Sequence, residues 1–515
     1  MKKSIIKAVF TLSMFSILER TIGFAFKIYL SRELGSVSLG VYQVALSVFY
    51  VLLGLVTSGI PLVVSKLTAK YLAEKKERSA RALASAALIV GLTVAVATLI
   101  VCYLLRNVMS GLFAAKESMT LLLIMLPGAC FSAVYAALRG NLWGQERYTL
   151  VSVVEVIEQI IRIAVCVLLF NLGFDKLKST ALAMMLGCAL SCLSCVIGYF
   201  SLKGRLSPPK GQFGCLIKSA LPITAVKTSG SILNSLVAII VPQLLIGTGL
   251  SVAEAMSQFG VSVGMAMPLL YVPITIIGSL AFVMIPTLST ARANGDSSSV
   301  KRQIENAIGF SITLSALFVP LFFELGEPIG ILVYDSAEAG AFLSFSAWLL
   351  IPIAVESITS SMMNSLDLEI KSLINYLIGS AVLFAVLFAF KGSFTVRTYS
   401  IATGISLTLS SVLDIIDIYR KTKISFSFLK PLAKSVCLIF PAILLNRWFY
   451  ALFAFMPAFF RIACAGSIAL AFMILLNIAF ATFDVNILFK RKDRKKDGSR
   501  RRKEKREKRK LEKTA

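Results

Sequence analysis

The sequence predicts an all-α membrane protein of about fourteen transmembrane helices, arranged as two six-helix lobes followed by two further helices. Three observations carry that prediction. The chain is 57% hydrophobic over 515 residues, with a mean hydropathy of +0.82. Only 16% of it is charged, far less than a soluble surface of this size requires. Much of that charge is gathered in one place: from Lys490 to Ala515 there are 16 Lys/Arg and 5 Asp/Glu, so the tail carries +11 of the formal +26.

A helix crosses a ~30 Å hydrocarbon core in about 20 mostly apolar residues. On that measure the candidate spans are 8–30, 39–64, 80–105, 119–138, 149–170, 180–202, 216–246, 262–288, 304–324, 339–361, 372–390, 398–418, 432–452 and 458–482. The first opens like a secretory signal, with Lys2 and Lys3 before an apolar run. Glu19-Arg20 interrupts the run and no small-x-small site follows, so it reads as an uncleaved span. The seventh and eighth spans are over-long, which predicts tilt, a bend or an interfacial extension.

Orientation follows from Lys and Arg in alternate loops. With the N-terminus inside, 24 basic residues face the cytoplasm before the tail is counted, and nine face outward. Both termini of this multi-pass cell-membrane protein are therefore expected in the cytoplasm. No loop between spans is long enough to be a domain, so the work must be done among the helices.

Two short matches suggest a repeat. IIKAVFTLSMF at Ile5 resembles LIKSALPITAV at Leu216, and Ile60-Pro61 closes the second span as Ile285-Pro286 closes the eighth. An even number of spans between copies gives two parallel halves, an organisation common in transporters. The expected divisions are a first lobe at 1–202, a second at 203–420, two added helices at 421–484 and a tail at 485–515. Pro222, Pro242, Pro268, Pro273 and Pro286 crowd into the seventh and eighth spans. With Ser229-Gly230-Ser231 between the first two, the seventh span looks built to bend.

The chain has no histidine, which removes the usual general base, zinc ligand and near-neutral proton sensor. Cys188, Cys192 and Cys195 share a helical face, a pattern that suits small packing residues better than a metal site. A charge inside a span costs ~2.5–3.5 kcal/mol even on lenient scales, so such residues are functional candidates. They are Glu19, Arg20, Lys27, Glu155, Glu158, Arg162, Lys227, Glu356, Asp414 and Asp417.

Arg20 and Lys27, seven apart, share a face of the first span and suit a phosphate or pyrophosphate. Lys227 would lie at similar depth in the second copy of the repeat. The alternative for each is neutralisation by a nearby acid. Glu158 and Arg162 have the i,i+4 order of an intrahelical ion pair, which favours a structural role beside a substrate-binding one. Glu356 stands alone, as a cation or proton site would. Asp414 and Asp417, close to Arg420 and Lys421, read as interfacial. The basic tail lacks apolar periodicity and is expected to be disordered and drawn to anionic lipid rather than to nucleic acid.

The stretches ERTIGFAFKIYLSRELGSVSLGVYQVA (19–45), SGIPLVVSKLTAKYLAEKK (58–76), ALRGNLWGQERYTLVSVVEVIEQIIRIA (137–164) and IPTLSTARANGD (285–296) resemble the polysaccharide-transporter and stage V sporulation protein B group. That group sits in the multidrug/oligosaccharidyl-lipid/polysaccharide exporter superfamily, which also holds the peptidoglycan lipid II flippase. The resemblance implies two six-helix lobes around a central cavity, with a groove from the last two helices. The flippase branch carries a pattern like S-R-x-x-G-F-x-R on its first span. Here Arg20 keeps the first basic position, while Phe26 occupies the second and Lys27 follows it.

Transporter, membrane enzyme and scaffold are the classes to weigh. The short loops and absent histidine speak against a glycan-processing enzyme, and a scaffold has little reason to bury ten charges. Among transporters, a basic cavity favours a lipid-linked saccharide over the cations of a multidrug antiporter. The expected partner is therefore a lipid-linked oligosaccharide, handled by a monomeric unit without a cofactor. A coupling ion, H⁺ or Na⁺, is left open.

Overall fold

A computed structural model of the protein describes residues 2–424 and 429–479. Every regular element among them is helical. The basic tail, with its expected contact with anionic lipid, lies outside the described residues.

The first half holds α1 (Lys2–Thr57), α2 (Ile60–Ala73), α3 (Glu77–Leu104), α4 (Arg106–Leu112), α5 (Glu117–Met125), α6 (Gly128–Gly144), α7 (Tyr148–Asn171) and α8 (Lys176–Ser201). After it come α9 (Phe213–Gly247), α10 (Val252–Phe259), α11 (Met267–Ala293), α12 (Ser297–Tyr334) and α13 (Ala337–Ser346). The last are α14 (Leu350–Ser365), α15 (Glu369–Ala389), α16 (Val396–Thr422), α17 (Leu429–Leu452) and α18 (Ala458–Ala479).

Twelve stretches among the described residues are long and apolar enough to cross a membrane. One of them, Met14–Ala73, has 60 residues, which at 1.5 Å each is about 90 Å, three times a bilayer core. It breaks at Gly35, whose φ of 71° and ψ of 172° are not helical, and again before Pro61 at the start of α2. In α7 the apolar run is interrupted by Glu155, Glu158 and Arg162. Met14–Ala73 is long enough for two crossings, and α7, with its three charges, is not among the twelve. Of the over-long spans, α9 stays helical through Pro222 and Pro242. The next span is the irregular one, with a π-helical turn at Gly260–Ala266. Pro268 follows directly and has no N–H for the preceding turn.

The chain packs as two compact units. Unit 1 takes in the described residues to Val272, Gly326–Ser346 and Ile370–Ser410; unit 2 takes in Pro273–Leu325, Ala347–Glu369 and the described residues from Ser411.

In unit 1, α2, α3, α6 and the first half of α9 share a core that includes Val64, Leu83, Ala87, Ala137, Leu216 and Ala220. Alanines stand in it among the larger Ile, Val and Leu side chains, because lipid gives apolar helices no hydrophobic reason to associate and close backbone approach helps supply the packing. A Cβ on Gly140 would stand 2.8 Å from the Cα of Pro61, so α6 and α2 touch backbone to backbone. In unit 2, α17 and α18 pack together around Leu438, Ala442 and Met473. Arg447 ties α17 to Glu324 of α12 at 3.1 Å.

Candidate functional site

The charged side chains of unit 1 gather where α1 packs on α7. Glu155, Glu158 and Arg162 stand at i, i+3 and i+7 on α7, so one side of that helix carries all three. Glu19 of α1 faces them. Its carboxylate lies beside Gln159 and within electrostatic reach of Glu155, Glu158 and Arg139.

Glu158 and Arg162 form an intrahelical ion pair, in the order that stabilises an i,i+4 contact. Their side chains are 17% and 14% exposed, so each depends on the other for compensation. Gly187 of α8 leaves the room: a Cβ there would come within 3.1 Å of the Arg162 Nε. That Nε has no hydrogen-bond partner among the described residues.

Glu155 is held by a residue that the sequence did not single out. Arg139 on α6 donates Nη1–H to Glu155 Oε1 at 2.9 Å, and the Tyr135 hydroxyl donates to the same oxygen at 3.1 Å. The guanidinium also lies 4.4 Å from the Trp143 ring centroid, a cation–π contact. Arg139 falls one residue beyond the expected fourth span and so counts as a loop base, whereas α6 runs on to Gly144. The spacing Tyr135, Arg139, Trp143 at i, i+4 and i+8 was the available signal, since it places cation and rings along one side of a helix.

The remaining cations are held differently. Arg20 is exposed, Lys27 half-buried and Lys227 exposed, and none makes a hydrogen bond or ion pair with a described residue. With Glu19 turned toward α7, Arg20 lies about 100° around α1, on the side that Lys27 shares about 10.5 Å further along. On α9, Thr228 is buried against Gly54 of α1, where an added Cβ would meet its Oγ1 at 3.3 Å. Its neighbour Lys227 is thereby turned outward, within electrostatic reach of Arg139. The candidate charges of unit 1, with Arg139 added, are thus five cations (Arg20, Lys27, Arg139, Arg162 and Lys227) against three carboxylates (Glu19, Glu155 and Glu158).

Unit 2 holds the other acids. Glu356, alone in its span by sequence, faces Asp414. Asp414 was expected at the membrane interface. It is instead 2% exposed and accepts a hydrogen bond from the Thr359 Oγ1 at 3.3 Å. It lies eight residues, about 12 Å, inside the end of α16, too deep for Arg420 and Lys421 to define its surroundings. Cys188, Cys192 and Cys195 are buried in α8, and Cys195 belongs to a core cluster with Tyr135, Val151 and Tyr199.

Comparison with known proteins fixes the family. The model of the polysaccharide biosynthesis protein family matches residues 5–292, more than half of the chain. The chain belongs to that family. It is 23% identical over 402 residues to stage V sporulation protein B of Bacillus subtilis (strain 168), covering 75% of this chain and 78% of the relative. It is 21% identical over 359 residues to sporulation protein YkvU of the same strain, covering 66% of this chain and 77% of the relative.

Among solved structures, the lipid II flippase MurJ in an inward closed conformation aligns with a TM-score of 0.69 at 14% identity, covering 91% of this chain and 98% of that one. An inward-facing multidrug resistance MATE family transporter of the MOP superfamily aligns at 0.68 and 18%, covering 81% and 99%. The fold is shared with these solved membrane transporters, and the protein is a multi-pass membrane protein.

Proposed function

We propose that the protein is a flippase that carries a lipid-linked saccharide from the cytoplasmic to the outer leaflet by alternating access, for cell-wall, spore-cortex or surface polysaccharide synthesis. One observation carries this reading: Arg20, Lys27 and Lys227 sit in membrane-crossing helices with no partner among the described residues. Unpaired cations at such depth call for water or an anion. A lipid pyrophosphate supplies the anion, and a guanidinium holds its oxygens with a forked set of donors. Glu158 and Arg162, substrate-binding candidates by sequence, stay paired with each other and hold the helix beside the path rather than gripping the head group. The family membership and the flippase fold support the same substrate class.

A cation antiporter is the second reading, favoured by the carboxylates Glu19, Glu155 and Glu158. Two of the three are already neutralised by Arg139 and Arg162. Proteoliposomes distinguish the readings. The protein should flip a polyprenyl-pyrophosphate saccharide well above the protein-free rate. Cation efflux with no such flipping overturns the proposal.

With this function go fourteen spans, a monomeric unit, lobes at 1–202 and 203–420, added helices at 421–484 and a basic tail on anionic lipid. Transport is driven by H⁺, by Na⁺ or by the membrane potential. Both termini lie in the cytoplasm, which puts the exposed Glu327 outside. A membrane-impermeant thiol reagent should therefore label Glu327→Cys from the outer face, and labelling only from the cytoplasm reverses the topology.

A further inference from the structure

Around the break in α1 at Gly35, four consecutive ties differ from the apolar packing elsewhere in unit 1. Arg32 donates through Nε to the Val333 carbonyl at 2.8 Å and through Nη2 to the Leu332 carbonyl. Glu33 pairs with Lys176 of α8 at 2.7 Å. Ser36 and Ser257 of α10 share a hydroxyl hydrogen bond of 2.7 Å. One turn on, an added Cβ at Gly40 would stand 2.1 Å from the Met256 carbonyl oxygen, and one at Gly260 would stand 2.0 Å from that of Ser36.

The Arg32 contact caps the end of α12. A helix leaves its last four carbonyls without intrahelical donors. Here the N–H of Asp335 takes the Ile331 carbonyl at 2.9 Å, and the N–H of Ser336 takes that of Gly330 at 3.3 Å. Leu332, Val333 and Tyr334 are left without a backbone donor among the described residues, and Arg32 takes the first two. Its charge also matches the negative end of the helix dipole. The cap is exposed rather than buried, so water can replace Arg32 on those carbonyls at little cost. A helix cap inside a core has no such substitute.

We propose that Arg32 is a releasable latch. Capping α12, it holds the outer end of α1 against α10, α12 and the π turn, and its release lets that end open. Outer here rests on the orientation proposed above. Three features suit this role. The contacts of Arg32, Ser36 and Gly40 join the expected first lobe to the second. Gly35 separates Arg32 from Ser36 with a left-handed φ of 71°, a swivel that residues with a side chain rarely adopt. The π turn opposite Gly40 is an irregular turn of the kind found at functional sites. The Glu33–Lys176 pair, by contrast, lies within the first lobe and keeps α1 on α8 when the latch lets go.

The test uses the Ser36–Ser257 contact as a reporter. Ser36→Cys/Ser257→Cys protein, full length in proteoliposomes without substrate, should cross-link under mild oxidation. Arg32→Ala should slow that cross-linking about two- to threefold, the weight of an exposed hydrogen bond that water partly replaces. Arg32→Lys, with a point charge in place of the fork, should fall between. If Arg32→Ala does not fold, Arg32→Gln removes the charge and keeps a donor, and it should also slow the reaction. A cross-linking rate unchanged by any of these substitutions overturns the latch. The cross-linked protein should also stop transporting until reductant is added, and full transport while cross-linked overturns it too. Arg32-dependent cross-linking in a protein that never flips the lipid supports the latch and counts against the flippase reading alone.

Discussion

Two sets of charges flank α1, and they are held in opposite ways. On the α6–α7 side each guanidinium has its carboxylate: Arg139 with Glu155 at 2.9 Å, Arg162 with Glu158 in the same helix. Arg20, Lys27 and Lys227 have none among the described residues. Both sets lie in helices that cross the membrane, so the cost of burying charge applies to both. The paired set meets that cost within the protein and is the same with or without a ligand. The unpaired set is compensated only by water or by something that binds. Under the proposed function, the difference separates residues that hold the helices together from residues that wait for an anion.

The largest expected effect tests the unpaired set. Arg20→Ala should lower flipping of a polyprenyl-pyrophosphate saccharide about 10- to 100-fold, the worth of one or two charge-assisted hydrogen bonds, at unchanged protein level. Arg20→Lys should lose much of the activity as well, because an ammonium cannot fork across two oxygens. Flipping by a well-expressed Arg20→Ala protein at the normal rate would sink the assignment. Loss of activity only in step with loss of protein would move Arg20 into the structural set.

The paired set should respond in the opposite way. Glu158→Gln leaves the mostly buried Arg162 guanidinium without its counter-charge. Breaking such a pair costs up to about 3 kcal/mol, so the folded yield should drop several-fold and the melting temperature with it. The protein that does fold should flip at close to the normal rate. Size-exclusion profiles and thermal melts in detergent read the first effect, and the proteoliposome assay reads the second. A full yield with abolished flipping would place Glu158 in the substrate path and erase the contrast.

Part of this contrast was legible in the sequence, because one-dimensional rules cover it. The i,i+4 order of Glu158 and Arg162 gives an intrahelical pair without reference to other helices. The 100° between Glu19 and Arg20 separates their directions on any helix. What needed a second helix was not legible. Arg139 lies beyond the apolar run of its span, and only the approach of α7 makes it the partner of Glu155. Asp414 looked interfacial from its distance to Arg420 along the chain, while α14 brings Thr359 and Glu356 to it. The prolines and Ser229-Gly230-Ser231 singled out the seventh span as built to bend, yet α9 runs as helix through Pro222 and Pro242 and the span after it takes the π turn. Composition alone settles the membrane; partner choice depends on which helices become neighbours.

The smallest expected effect is the one that separates contact from field. Lys227 lies on the exposed side of α9 because Thr228, next to it, is buried against Gly54. An exposed ammonium near water attracts an anion through a screened field, with a Debye length of about 8 Å at physiological salt. Lys227→Ala should therefore reduce flipping only about two- to fivefold, and the deficit should shrink as salt rises and screens the wild-type residue as well. Arg20, acting by direct hydrogen bonds, should show a deficit that salt barely changes. Lys27, half-buried on the face of Arg20, should fall between them. A salt series of flipping rates for the three alanine variants reads this directly. Equal, salt-independent losses at Arg20 and Lys227 would mean that both touch the head group, and that α9 contributes a contact rather than a field.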